Sequence, residues 1–178
     1  MFTLKILTNC LKRNKIISIC SLLFFFIPLI WNVFFGITSI TPGEQNISTN
    51  LLGLFFNNFI VSIIIMSGFV TFGFSTVLYL SINGMIVGYS ITLQLEKGRS
   101  VFEILSLLIP HGLAEVPALI LSGIIGLKSI DMIVKLTISK DKNIIKRDLK
   151  DISILFVTII ILLIIGAIIE TYFTPLLK

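Results

Sequence analysis

The only histidine of the chain, His111, stands between Pro110 and Gly112 inside a long apolar stretch, and a carboxylate, Glu115, follows four residues later. Pro117 and Ala118 complete the cluster. Residues four apart share a helix face, so an imidazole and a carboxylate at this spacing can meet. Each member of the cluster is costly in a membrane helix. Ionisable groups cost at least a few kcal/mol there, and an internal proline costs roughly 3 kcal/mol. Three uses are open. The cluster can fix a bend, with Glu115 accepting freed backbone amides and His111 bonding a carbonyl. It can form a site for a partner protein or small substrate. It can also couple to a proton or ion. Metal catalysis is not expected, because one histidine and one glutamate fall short of the three protein ligands typical of catalytic zinc. Ser106 and Ser122 lack the glycine-flanked setting of a nucleophile, and no phosphate loop is present. No catalytic residue, metal or cofactor is therefore assigned.

The cluster lies in an apolar stretch over 101–127, which carries Glu103 near its start. Gly112 and the two prolines predict a half-helix over 102–109 and a second helix from about 116, so that the helix is broken at 110–117. Backbone that leaves the helix at membrane depth is tolerated only when buried in protein or lining a wet cavity. Broken helices of this kind form sites in transporters. Glu115 would stand near the N-terminus of the second half, where a negative charge is favoured.

The rest of the chain must hold that segment in a bilayer. Hydrophobic residues make up 56% and charged residues 13%, against about a quarter charged in soluble domains. The mean hydropathy is +1.07. The expected fold is all-α: a polytopic transmembrane helical bundle, one integral membrane domain with spans at about 16–36, 59–79, 82–95, 101–127 and 152–169. Lys5, Lys12, Arg13 and Lys15 precede the first apolar run as in a signal peptide. That run is too long for one and no small-x-small site follows, so it reads as a retained span. Cys10 and Cys20 have neither zinc-type spacing nor a partner histidine and read as unpaired.

Charge sets the expected topology. The segment 37–50 is polar, holds a Pro42-Gly43 turn signal and lacks Lys and Arg. The segment 128–150 carries Lys128, Lys135, Lys140, Lys142, Lys146, Arg147 and Lys150 and reads as a basic cytoplasmic loop, with an amphipathic stretch at 130–138 on the membrane surface. Two basic flanks on one side require an even number of crossings between them. Two spans within 51–95 give four, which places the N-terminus in the cytoplasm and the C-terminus outside. The net charge of +5 gathers in these flanks, so the bilayer rather than nucleic acid is the expected partner.

Small residues recur at four-residue spacing: Ser67, Thr71 and Ser75; Gly84, Gly88 and Thr92; Ala114, Ala118, Ser122 and Gly126. Such faces let helices approach closely in lipid. Gly84 and Gly88 could pack within the chain or form a homodimer. Asn57 and Asn58 are expected at the start of the second span, and Asn83 near the turn before the third.

Pro110-His111-Gly112-x-x-Glu115-x-Pro117-Ala118 resembles the signature of the stage II sporulation protein M family of bacterial integral membrane proteins. Asn57-Asn58 and Asn83-Gly84-x-x-x-Gly88 resemble its flanking pieces in the same order, and the likeness covers roughly 12–175. It implies a non-enzymatic scaffold or accessory subunit in the cell membrane, since the sporulation member is associated with a complex of peptidoglycan-degrading proteins, a cell-wall hydrolase complex. Proteins resembling this family also accompany bacteriocin gene sets and export ATPases, which implies an alternative role in peptide export, maturation or immunity. The short outer segment offers little surface to external hydrolases and favours that alternative.

Overall fold

The computed structural model describes residues 2–36, 50–139 and 143–172, which form helices joined by short turns, with no strand among them. An amphipathic helix, α1 (Phe2–Arg13), precedes α2 (Lys15–Phe35). After the segment 37–49, where the expected outer loop lies outside the described residues, come α3 (Leu51–Met66) and α4 (Phe74–Glu96). A short helix α5 (Val101–Gly112) leads into α6 (Glu115–Ser139), and α7 (Ile144–Tyr172) closes the fold. Among the described residues, five helices are long and apolar enough to cross a membrane: Lys15–Phe35, Leu51–Phe69, Phe74–Glu96, Glu115–Ile138 and Ile144–Tyr172.

Local sequence explains several helix ends. The Asn50 side chain caps α3 by accepting from the Gly53 amide at 2.6 Å. Ser100 and Glu103 cap α5 reciprocally, the Ser-x-x-Glu pattern. The exposed Glu103 carboxyl is held below its ordinary pKa chiefly by the Ser100 backbone amide. Gly36 ends α2 in a left-handed conformation at φ 48°.

The spans differ in register from the sequence expectation. The second and third were expected at 59–79 and 82–95, but a turn at 70–73 divides them, giving Leu51–Phe69 and Phe74–Glu96. Phe72 and Gly73 take positive φ there, and Gly73 donates to the Gly68 carbonyl at 2.7 Å. Ser67, Thr71 and Ser75 are thus not a face within one span. Their hydroxyls bond one another across the turn at 2.9 and 3.1 Å, giving its polar groups partners. The expected fourth span, 101–127, is two helices. Being 12 residues long, α5 extends about 18 Å and cannot cross a hydrocarbon core of about 30 Å. The fourth crossing is made by α6 together with α5, since α6 covers only about 20 Å from Glu115 to the level of Lys128. Nor is 128–150 a loop: α6 runs on to Ser139 and α7 starts at Ile144, so the last helix extends well beyond 152–169.

The core sits around α6. Within its apolar window 56% is buried, against 22–28% for the other spans, so α6 is the central helix and the others surround it. Leu121, Ile124 and Ile125 pack with Leu155, Ile159 and Leu163 of α7. Helices α2 and α4 run parallel in close contact. A Cβ added at Gly84 would overlap the Phe25 carbonyl, and one at Gly88 would press on the Leu29 carbonyl and Asn32. The Gly84 and Gly88 face is therefore filled by α2 and is closed to a second copy. Gly126 and Ser122 are likewise buried in α6, where a Cβ at Gly126 would meet Thr76 and the Ile65 carbonyl.

Candidate functional site

The site at the α5–α6 junction is built from three helices. Residues Leu113 and Ala114 lie between α5 and α6. Gly112, Pro110 and Pro117 were all expected to break the helix, but α5 continues through Pro110 and Gly112. Gly112 has no positive φ, and a Cβ there would meet nothing within 4 Å. The cause is Pro117. It lacks the amide that would bond the Leu113 carbonyl four residues earlier, and its ring would clash with that carbonyl. At the third position of α6 it costs little, since first-turn amides have no helical partner.

Glu115 opens α6, where the helix dipole favours a negative charge. Its carboxylate oxygen Oε1 accepts a 2.6 Å hydrogen bond from the Asn58 amide nitrogen of α3. Gly166 of α7 provides the room: a Cβ there would sit 3.2 Å from Glu115 Cγ and 3.4 Å from the Ala114 Cβ. Ala114 and Ala118 are buried beside it. Two motifs distant in sequence, Asn58 and Glu115, thus meet. Gly166 was missed, having no signal beyond being a lone glycine in an aliphatic run. The side chains of Pro110 and His111 lie outside the described part. Asn57 is exposed, and Asn83 bonds back to the Tyr79 carbonyl of its own helix at 2.7 Å, so neither joins the Asn58–Glu115 bond.

A second polar centre was not foreseen. Lys128 is fully buried on α6. Its ammonium pairs with Asp148 of α7 at 2.9 Å and Asp131 at 3.2 Å and donates to Asn14. Lys135 also pairs with Asp131. Asp151, likewise buried, binds the Arg13 guanidinium through both oxygens and accepts from Asn14 at 3.0 Å. Among the described residues, Arg13, Lys128 and Lys135 balance Asp131, Asp148 and Asp151. This neutrality lets a lysine expected in a solvated loop lie inside the bundle, since a buried charge must be paired. The legible signal is Lys128-x-x-Asp131-x-x-x-Lys135 facing Asp148-x-x-Asp151 at helical spacing.

Cys10 is buried beside this centre, with its thiol on the Asp151 carbonyl at 3.9 Å. Burial, and then the Asp151 charge, push the thiol up to about 11, so it stays protonated and packs as a small apolar group. Both cysteines are free. The Arg13–Asp151 pair also sets both basic flanks at one end of the bundle, as four crossings require. Along α6, Glu115 lies about 20 Å from Lys128. Among the described residues, no group of three or more His, Cys, Asp or Glu is placed to hold a metal.

A family model described as Stage II sporulation protein M matches residues 21–175. An uncharacterized protein, MJ0793, of Methanocaldococcus jannaschii is 34% identical over 131 residues, covering 73% of this chain and 74% of its own. No solved structure matches.

Proposed function

The chain belongs to the stage II sporulation protein M family, and on that premise we propose that this multi-pass membrane protein is a non-enzymatic scaffold or accessory subunit that holds partner proteins in a membrane complex. The observation that carries this reading is the engagement of Glu115. Its carboxylate is bonded by Asn58 and packed on Gly166, an arrangement suited to bracing the junction of α5 and α6 between α3 and α7. The brace holds α5 against the bundle while Phe102, Leu105, Ile109 and Leu113 stay exposed to lipid or partners. The bundle is oriented with its basic end, Arg13 and 128–150, in the cytoplasm, following the positive-inside rule.

The test is quantitative cross-linking and mass spectrometry of the tagged protein in native membranes. The scaffold reading expects a stoichiometric protein partner, recovered equally with wild type and Glu115→Gln. Absence of any stoichiometric partner, or its loss in a folded Glu115→Gln protein, would overturn it. The second of these results would mean that the carboxylate acts through its charge or a proton.

A further inference from the structure

Beyond Lys128, α6 and α7 continue side by side past the apolar body of the protein. Lys128 shares the Asn14 side chain with Asp151 and so lies level with the start of α2, where the apolar run begins at Ile16. From that level Ile138 is about 15 Å further along α6, whereas the headgroup layer adds only about 6 Å to each side of the hydrocarbon core. Along this extension Ile130, Ile133, Val134 and Ile138 form one helix stripe, and all are exposed, Ile138 at 78%. On α7, Ile145 and Leu149 are exposed beside Lys146, Arg147 and Lys150.

The stripe cannot turn inward. The opposite face of α6 is tied to α7 through Lys128, Asp131, Lys135 and Asp148. Neither can it lie flat on lipid, because α6 is one unbroken helix from Glu115 to Ser139 and leaves the bilayer along the line on which it crosses. Over 128–150 there are seven Lys and Arg and three Asp, a net charge of +4 (7 − 3). Two copies meeting through this surface would bring like charges together, while an acidic partner would be attracted.

We propose that the α6–α7 extension beyond Lys128 is a docking surface for a partner protein presenting an amphipathic helix with an apolar stripe and acidic flanks. This rests on the scaffold reading and names the surface and the chemistry of one partner. Helix-in-groove recognition of this kind uses apolar anchors at i, i+3, i+4 spacing, and the flanking cations set charge and orientation.

The test uses the full chain in phosphatidylcholine nanodiscs and two synthetic amphipathic helices, one of Leu and Glu and one of Leu and Lys. The Leu/Glu helix should bind and the Leu/Lys helix should not. Ile133→Ser with Ile138→Ser should weaken binding about tenfold or more, and Lys146→Gln with Arg147→Gln should weaken it and reduce its salt dependence. A bimane probe at Ile138→Cys, with Cys10 and Cys20 replaced, should be quenched by aqueous iodide and not by doxyl lipid. Doxyl quenching would assign the stripe to lipid, and a disulfide between two Ile138→Cys copies would assign it to self-association. Either result overturns the proposal, as does unchanged peptide binding by the serine variant. If these fail while a stoichiometric partner is still recovered from membranes, the scaffold reading stands and this surface is not its docking site.

Discussion

Asn58 of α3 donates a 2.6 Å hydrogen bond to the Glu115 carboxylate in the first turn of α6. Glu115→Gln keeps an acceptor oxygen for that donor and should unfold within a few degrees of wild type. Glu115→Leu should lose about 1–3 kcal/mol by leaving buried donors unpaired. Asn58→Leu combined with Glu115→Leu should cost less than the sum of the two single changes. Thermal unfolding in detergent measures all four proteins, and strict additivity would show that the two side chains are not coupled.

Pro117 sets the break and Gly112 does not. Gly112→Ala should be tolerated, since its Cβ enters open space. Pro117→Ala supplies an amide for the Leu113 carbonyl and should straighten α5 onto α6. Spin labels at Leu105→Cys and Ile130→Cys report this by electron–electron distance. One continuous helix would set the two backbone positions about 37 Å apart, and the variant should move toward that value from a shorter wild-type distance. No change would place the cause of the break elsewhere.

The Gly88 position touches α2 backbone, so Gly88→Leu should abolish folded protein, and Ser122→Leu, fully buried on α6, should lower it strongly. Ile27→Leu on the exposed face of α2 should leave membrane abundance unchanged. Normal accumulation of both bulky variants would contradict the packing described.

Lys128→Ala leaves the buried Asp148 with only Lys135, at 3.9 Å, and should cost up to about 3–5 kcal/mol. Replacing the pair together, Lys128→Met with Asp148→Leu, should recover much of that loss, because two apolar groups remove the desolvation cost on both sides. Equal instability of the double and single variants in a denaturation series would argue that the remaining charges, not this pair, hold the end of the bundle.

For orientation, impermeant maleimide applied outside intact cells should label a cysteine within 41–50 and not one within 140–150, in a background lacking Cys10 and Cys20. Labelling of both from one side would refute four crossings between the flanks.

The residue types and their order were enough to establish the membrane class, the number of spans and the cluster around Glu115. Long apolar runs and the placement of charge act locally, and prolines mark where a break can fall, although α2 runs through Pro28 and α5 through Pro110. The sequence also held the pieces of the ion network, but an isolated Lys128 reads as solvated until Asp148 is placed 2.9 Å from it. Tertiary structure alone made that pairing, because only packing brings α6 against α7 and removes water from both charges. It likewise brought Asn58 to Glu115 across 57 positions of sequence, and gave Gly166 its purpose through the close approach of α7. It also chose Pro117 over Gly112 as the cause of the break, since both are helix breakers by type and only the backbone path shows that α5 includes Gly112 while α6 restarts two residues before Pro117.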